Sequence, residues 1–311
     1  MGRRRIVSAA IALMAALVLP TPGVAAAGQD DKTPRSLTEI VTPRSAEALP
    51  QMRTAAVSEN TLYALTPERD EVLMFDGVTW SRIGGPAAEI YAGGGQVYAT
   101  SPTTGDIFWY EHETTTWHRI GGPGQQFTVD DAGIIQGLNS TGIYEWWGGT
   151  TGWRKLGGPA ASIRSGGVGL LVATSITNGD VYLYAGLPFQ PWTRIGGPGQ
   201  DFAITTVGYF YGQNDAGIFA WRGGLDWIQV GGPAAKMYTG GNLVATSPYN
   251  GDAYRFLDAE LQWEHVGGPG DQFTVANDGT IYGLNSGGVW RKAPGESGWT
   301  KVGDPAASLA V

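Results

Sequence analysis

Nine polar side chains stand where the repeated pattern of this sequence changes from copy to copy, and they are its best candidates for binding chemistry. Three pairs precede a phenylalanine, and three asparagines each begin a later turn. Together, amide and carboxylate groups beside exposed glycine backbone donate and accept hydrogen bonds, which suits a ligand rich in hydroxyl groups. The side chains are Gln125, Gln126, Asn139, Gln200, Asp201, Asn214, Asp271, Gln272 and Asn285.

A purely structural interpretation of these residues stays open. Asparagine is a turn-forming residue, and "TNGD" and "YNGD" place Asn178 and Asn250 in Asn-Gly hairpin signals. The three candidate asparagines could have the same role, and the Gln and Asp pairs could bond neighbouring loops.

Enzymatic chemistry has less support. A glycosidase needs two carboxylates at a fixed separation in one cleft, whereas Asp106, Asp180 and Asp252 occupy equivalent positions in different repeats. The two histidines of "EHETTTWH" lack metal-ligand spacing, and "VDDAG" and "ANDG" are too short for a calcium loop. We predict no catalytic residue, no metal and no cofactor. The residues that break the repeat are Glu111, His112, Glu113, His118, Glu145 and His265.

A sevenfold repeat must position the candidate side chains. Each copy carries about four short strand signals, and the spacing of 35 to 39 residues is slightly below the ~40–45 of a propeller blade. Glycine is 49 of 311 residues, and there is no 3.6-residue period, so a helical solenoid is excluded. The sequence predicts an all-β fold, a seven-bladed β-propeller of four-stranded antiparallel blades. The repeated "GGP", or "GDP" in the last copy, begins at Gly84, Gly121, Gly157, Gly196, Gly231, Gly267 and Gly303.

One tryptophan stands three residues before the apolar residue that precedes each GGP. These indoles could be platforms for a ligand. We expect instead that they are structural core residues, each packed against a neighbouring blade, because blade sheets bury both faces and large aromatic rings fill the wedge between them. They are Trp80, Trp117, Trp153, Trp192, Trp227, Trp263 and Trp299.

The ring must close, and the last residues offer a strand for this. "AASLAV" repeats the first-strand pattern of the other blades but lacks the strands that should follow. We predict that Ser308–Val311 docks on the first blade, because closure removes the exposed edge of a sheet. "MRTAAVS" competes for the same place, and the sequence does not decide between them.

Two blade types alternate along the chain. Ala-type blades begin with Ala-Ala after the proline and carry "ATSPTTGD" or a variant. Phe-type blades begin with "GQQF", "GQDF" or "GDQF" and carry "GLNSTG", "GQNDAG" or "GLNSGG". The first blade resembles the Ala type, so the ring has four blades of one type and three of the other. We expect the GGP loops and the variable turns to share one rim, where the alternating residues could form pockets between blades.

The beginning of the chain indicates export. Three arginines, an apolar run from Ile6 to Leu19 and small residues before Gly28 predict a signal peptide over residues 1–27. Residues 28–50 read as a flexible polar leader, and 51–311 as the propeller. Removing the three arginines leaves 17 basic and 28 acidic residues, and this acidic balance argues against nucleic-acid binding. We also expect no membrane span.

The chain resembles the tectonin and tachylectin-type lectin propellers. The resemblance is carried by "W-x-x-V-G" before a strand and by "DGTIYGLNSGGVW" in the last blade, and as a repeat pattern it covers residues 51–311. It implies a secreted, extracellular protein that binds cell-surface glycans in several equivalent pockets between blades. Such lectins also serve as targeting subunits of bacterial umbrella toxin particles, and the 28–50 leader could attach to a carrier protein. The alternatives are a protein-binding scaffold and, with less support, a propeller glycosidase or lyase.

Overall fold

The computed structural model describes residues 57–149, 152–167, 169–184 and 192–311. Within these residues it contains 28 strands in seven four-stranded antiparallel sheets and no helix, which confirms the predicted propeller. The predicted signal peptide at 1–27, the predicted leader at 28–50 and the first residues of "MRTAAVS" lie outside the described residues.

Each blade runs from an innermost strand to an outer strand. Blade 1 has β1 (Leu62–Leu65), β2 (Val72–Phe75) and β3 (Trp80–Gly84). Blade 2 has β4 (Ile90–Gly93), β5 (Gln96–Thr100), β6 (Ile107–Glu111) and β7 (Thr116–Gly121). Blade 3 has β8 (Gln126–Val129), β9 (Ile135–Asn139), β10 (Gly142–Trp146) and β11 (Trp153–Gly157). Blade 4 has β12 (Ser162–Gly166), β13 (Leu170–Thr174), β14 (Val181–Tyr184) and β15 (Thr193–Gly196).

The remaining strands follow the same order. Blade 5 has β16 (Asp201–Ile204), β17 (Phe210–Asn214), β18 (Gly217–Gly223) and β19 (Asp226–Gly231). Blade 6 has β20 (Lys236–Thr239), β21 (Leu243–Thr246), β22 (Ala253–Leu257) and β23 (Gln262–Gly267). Blade 7 has β24 (Gln272–Val275), β25 (Ile281–Asn285), β26 (Gly288–Lys292) and β27 (Thr300–Gly303). The last strand is β28 (Ser308–Ala310).

The ring is closed by β28, which is the innermost strand of blade 1. It pairs antiparallel with β1, with Leu309 opposite Ala64 and Ala310 opposite Tyr63. The innermost strands also contact one another in sequence around the ring, and β28 lies between β24 and β4. The predicted docking of the C-terminal strand is therefore confirmed, and the edge of blade 1 is paired.

A β-bulge recurs between the third and outer strands of every blade. In blade 2, Ile107 is opposite Gly121 and Phe108 is opposite Arg119, so Ile120 has no partner across the ladder. The carbonyl of this unpaired residue accepts a hydrogen bond from the indole Nε1 of Trp153 in the next blade at 2.7 Å. A bulge leaves one residue out of the pairing pattern. In this fold, the tryptophan of the next blade donates a hydrogen bond to the carbonyl of that unpaired residue.

All seven tryptophans of the series make this contact, at 2.7 to 3.0 Å. The first glycine of each GGP is required beside the indole. A Cβ on Gly121 would lie 2.8 Å from Nε1 of Trp153, and the other copies are as tight. The repeated signal "W-x-x-apolar-G" is therefore an inter-blade contact, in which one blade supplies the indole and the preceding blade the glycine and the carbonyl.

The alternation of blade types follows from packing around the innermost strand. In blade 3, a Cβ on Gly124 would lie 2.7 Å from Cζ of Phe127, and one on Gly137 would lie 3.0 Å from Cε1 of the same ring. In blade 2 a smaller aliphatic residue stands at the position of the phenylalanine, and alanine stands at both glycine positions. Such compensated exchanges keep the core volume nearly constant. The Phe-type triplets are Gly124/Phe127/Gly137, Gly199/Phe202/Gly212 and Gly270/Phe273/Gly283, and the Ala-type triplets are Ala87/Ile90/Ala99, Ala160/Ile163/Ala173, Ala234/Met237/Ala245 and Ala306/Leu309/Ala64.

Candidate ligand-binding site

The three Phe-type blades have shorter turns than the Ala-type blades on the rim that carries the GGP loops. Their second and third strands are joined by two-residue hairpins, so that Asn285 pairs directly with Gly288 in blade 7. In Ala-type blades the same connection is a six-residue loop, as between Thr100 and Ile107. Three of these loops fold against the proline that leads into the next, Phe-type blade. The short turns leave room beside the Gly-Pro-Gly segment that leads into the same blade, which is Gly268–Gly270 in blade 7.

A cavity of about 250 Å³ lies at this place in blade 7. Its walls are the indoles of Trp290 and Trp299, the ring of Phe273, the amide of Asn285 and the Gly268–Gly270 segment. Gly283 and Gly270 contribute backbone without side chains. The site therefore combines aromatic surface with an amide and accessible peptide groups, a composition typical of small-molecule pockets.

Trp290 is a site residue that the sequence analysis missed. It occupies the first position after the bulge on the third strand, and the other Phe-type blades have Tyr144 and Phe219 there. All three rings are partly exposed. The signal that could have found them is an aromatic residue two positions after the hairpin in "TGIY", "AGIF" and "GGVW". In Ala-type blades the position is occupied by Leu73, Phe108, Tyr182 and Tyr254 beside the longer loop.

The three candidate asparagines stabilise their own turns. Oδ1 of Asn139 accepts hydrogen bonds from the backbone and hydroxyl of Thr141, and Oδ1 of Asn214 accepts one from the Ala216 N–H. In blade 7, Oδ1 of Asn285 accepts from Gly287 N at 2.9 Å and from Trp290 Nε1 at 3.1 Å. The amide nitrogens of these asparagines make no hydrogen bond within the described residues, which leaves a donor at each turn.

Two of the candidate glutamines bond the neighbouring blade. Gln126 donates from Nε2 to the carbonyl of Ile163 at 2.7 Å and accepts from the N–H of the same residue at 3.0 Å. Gln272 makes the same pair of bonds with Leu309, at 2.8 and 3.0 Å. The amide therefore mimics a strand at the inner edge of the next blade.

The remaining candidates are closer to solvent. At the position of Gln126, blade 5 has Asp201, whose carboxylate pairs with Arg164 of the preceding blade at 3.1 Å. Gln200 donates to the carboxylate of Asp215 in the adjacent hairpin. The side chains of Gln125 and Asp271 are exposed and make no hydrogen bond among the described residues.

The acidic residues considered for catalysis form ion pairs or hydrogen bonds that account for their positions. Asp106 accepts from Nε and Nη2 of Arg119 at 2.8 and 3.1 Å, and this guanidinium lowers the pKa of the carboxyl group. Asp180 is held in the same way by Arg194, and Asp252 lies 3.5 Å from His265. Among the described residues there is no group of three or more His, Cys, Asp or Glu that could hold a metal.

Four of the other repeat-breaking residues are also engaged within the fold, whereas Glu113 is exposed. Glu111 lies 3.1 Å from His118, and Glu145 is buried and lies 3.1 Å from Arg154. His112 lies 3.3 Å from the hydroxyl of Tyr63, and burial lowers its imidazole pKa.

A second polar cluster lies on the opposite rim, where the turns after the innermost strands meet. Asp130 is completely buried and accepts from the N–H groups of Ala132 and Ile134, yet burial raises its pKa to about 7. Burial also raises the pKa of Asp131 to about 6. Thr206 and Asn277 hold the position of Asp131 in blades 5 and 7, and the Thr206 hydroxyl donates to the Asn277 amide oxygen at 2.8 Å.

Known structures share the architecture. The CRINKLY WD40 ectodomain of the Arabidopsis thaliana receptor kinase ACR4 is similar with a TM-score of 0.54 and 15% identity, over 81% of this chain and 95% of that one. A streptogramin B lyase structure has a TM-score of 0.48 and 12% identity, over 74% and 92% of the two chains. The WD40 repeats of RRP9 have a TM-score of 0.48 and 9% identity, over 75% and 88%.

No family model and no curated protein matches the chain. At these identities the structural likeness establishes the fold alone. The protein is thus a seven-bladed β-propeller with a WD40 ectodomain among its structural neighbours. Among the described residues, no helix is long and apolar enough to cross a membrane.

Proposed function

We propose that this protein is a secreted lectin that binds cell-surface glycans at the rim of its Phe-type blades. The observation that carries the proposal is the cavity in blade 7, where the Trp290 indole, the Asn285 amide and exposed glycine backbone lie together. An aromatic ring offers a surface for the apolar face of a sugar, and amide and peptide groups can bond its hydroxyls. The tectonin-like sequence pattern supports the same reading.

The three Phe-type blades give three related sites per chain. A shallow site for one sugar binds weakly, near ~1 mM or about −4 kcal/mol. Sites spread around one rim engage a dense glycan surface together, and linkage of this kind raises avidity by ~10²–10⁴. The signal peptide that the sequence predicts at 1–27 supports an extracellular location, and the 28–50 leader is a candidate attachment point for a carrier protein within a toxin complex.

A glycan array probed with the secreted protein tests the proposal. Binding to dense glycan spots is expected, with weak binding of the free monosaccharide by calorimetry. Trp290→Ala, Tyr144→Ala and Phe219→Ala should lower surface binding step by step, whereas Tyr182→Ala, at the same position in an Ala-type blade, serves as the matched control. An array without any bound glycan contradicts the proposal.

The polar candidates are tested alongside. Gln126→Ala, Asp201→Ala and Gln272→Ala should also reduce surface binding in turn, but the glutamine changes remove bonds to the next blade. Thermal melting of each variant separates the two effects. A triple variant that folds normally and binds the glycan surface as well as the parent contradicts a role of these three residues in binding.

A protein-binding scaffold is the second candidate, because large apolar side chains are exposed on the same rim. Ile176 is 64% exposed and Tyr249 is 86% exposed, both on Ala-type loops. A scaffold predicts that a partner protein co-purifies and that sugars do not release it. Elution from target cells by a sugar would instead support the lectin.

A further inference from the structure

The junction between blades 6 and 7 has a second aromatic side chain that its counterparts lack. Tyr249 lies on the Ser247–Asp252 loop of blade 6 with 86% of its surface exposed. Its ring makes no aromatic contact and its hydroxyl no hydrogen bond within the described residues. A single exposed aromatic side chain is common on protein surfaces, so the place of its loop against the cavity wall, rather than its exposure, is what points to a ligand.

The loop that carries Tyr249 is well ordered by its own hydrogen bonds. The N–H of Ser247 donates to the carbonyl of Asp252 at 2.8 Å, and the N–H of Gly251 donates to the carbonyl of Ser247 at 3.0 Å. The backbone N–H of Tyr249 donates to the hydroxyl of Ser247 at 3.2 Å, and Asn250 bonds Asp252 at 2.8 Å. The ring therefore extends from a fixed support, which lowers the entropy cost of binding.

The same loop rests on the wall of the blade 7 cavity. Gly251 has φ of 77°, and a Cβ there would lie 2.9 Å from Cβ of Pro269, which lines the cavity. Two residues span at most ~7 Å, so Tyr249 lies within side-chain reach of the cavity rim. Tyr249 is thus two residues from the point where its loop contacts Pro269 of the cavity wall.

The other two junctions lack this pair of aromatic side chains. In the equivalent loops of blades 2 and 4, Thr103 and Thr177 hold the position of Tyr249, and the cavity positions beyond them hold Tyr144 and Phe219. The site in blade 7 is therefore the one of the three Phe-type sites with an indole inside and an aromatic ring beyond the rim.

We propose that this junction is an extended site for an oligosaccharide of at least two sugars. The inference rests on the lectin function proposed above. One sugar lies in the cavity against Trp290, and the next crosses Pro269 and stacks on Tyr249. The cavity of about 250 Å³ is smaller than the ~300–1,000 Å³ of pockets that enclose a drug-sized ligand, so a longer glycan must continue over the rim. Tyr249 is then a specificity-determining residue for glycan length.

Immobilised ladders of one to four sugars, built from glucose, galactose, mannose and N-acetylglucosamine, test this inference on the full secreted chain. The parent should bind the two-sugar member of at least one ladder about tenfold more tightly than the one-sugar member. Tyr249→Thr, which introduces the residue of the other two loops, should remove this preference and leave one-sugar binding unchanged. Ile176→Thr, at another exposed large side chain on the equivalent loop of blade 4, is the matched control and should change neither.

The outcomes separate the two proposals. A parent that binds no member of any ladder overturns both. A parent that binds glycans without length preference, or a Tyr249→Thr variant that keeps the preference, overturns the extended site alone. Equal loss of one-sugar and longer binding also overturns it, because the residue would then act inside the first subsite. Thr177→Tyr provides an independent check and should add length preference at the junction of blades 4 and 5.

Discussion

The indole Nε1 of Trp80 donates a hydrogen bond to the carbonyl of Val302 at 2.7 Å, joining residues 222 positions apart. This contact places the outer strand of blade 1 against that of blade 7. The pairing of β28 with β1 joins the same two ends at the inner edge of the ring. Closure therefore depends on two independent contacts, one near the axis and one at the periphery.

Removal of Ala306–Val311 should lower stability substantially. The deletion exposes the unpaired edge of β1 and removes Leu309 and Ala310 from the core they share with blades 7 and 2. Thermal melting and solubility are the measurements, with deletion of Val311 alone as the control. A truncated protein that melts with the parent would contradict closure by β28.

Replacement of the partly buried Trp153 by Ala should destabilise the fold, by up to the ~3–5 kcal/mol found for fully buried aromatics. The change leaves a cavity between blades and deprives the Ile120 carbonyl of its donor. Trp153→Phe should cost less, because most of the ring remains while one bond is lost. Urea unfolding measures both. Unchanged stability with loss of glycan binding would show that these indoles are ligand platforms instead.

The packing triplets make a coupled prediction. Gly137→Ala alone should destabilise blade 3 by ~1–3 kcal/mol, because the new Cβ presses on Phe127. The combination Gly124→Ala, Phe127→Ile and Gly137→Ala copies blade 2 and should be less destabilised than the sum of its single changes, by ~0.5–3 kcal/mol in urea unfolding. Gly197→Ala meets no atom within 4 Å and is the control. Strict additivity would refute the compensation.

Stability should fall as pH rises from about 4 to about 6 through Asp131. Burial raises the folded-state pKa of this carboxyl to about 6, above the ~3.9 of an unfolded chain, so the native state binds the proton more tightly. Its contribution is fully present below the unfolded pKa and is lost through the folded one. Asp130, with a pKa of about 7, extends the decline toward that pH.

Asp131→Asn, which copies Asn277 of blade 7, should flatten part of this profile. Melting temperatures from pH 4 to 8 are the measurement. The variant should gain on the parent between about pH 4 and about pH 6, whereas Asp304→Asn, at a side chain 97% exposed, should leave the profile unchanged. A constant difference between parent and Asp131→Asn across the range would disprove the assignment.

The architecture could be read from the sequence because its signals are local and recur at fixed spacing. One contact or boundary is predicted by each of three features: the GGP copies, the tryptophans and the C-terminal strand at Ser308. The hydrogen-bond partners of Gln126 and Gln272 could not be predicted in this way, since they depend on the register between blades. The role of Gly137 was equally hidden, because it appears only when Phe127 from another strand is placed over it.

The candidate site was located in part. The sequence pointed to the turns at Asn139, Asn214 and Asn285, but not to the aromatic ring beside each turn. Trp290 looked like an ordinary strand residue, since third strands of every blade carry apolar side chains. Its exposure results from the absence of a six-residue loop, which is a property of the neighbouring turn rather than of the residue itself.

The alternation of packing triplets means that the true repeating unit spans two blades. Gly84, Gly157, Gly231 and Gly303 begin the copies that lead into Ala-type blades, and they are 72 to 74 residues apart. Copying such a cassette adds blades in twos and would give an even ring. The unpaired blade is blade 1, which is assembled from both ends of the sequence, and it meets an Ala-type neighbour at blade 2. At this junction Arg69 pairs with Glu89 at 3.3 Å. It joins two Ala-type blades, whereas every other junction joins one blade of each type.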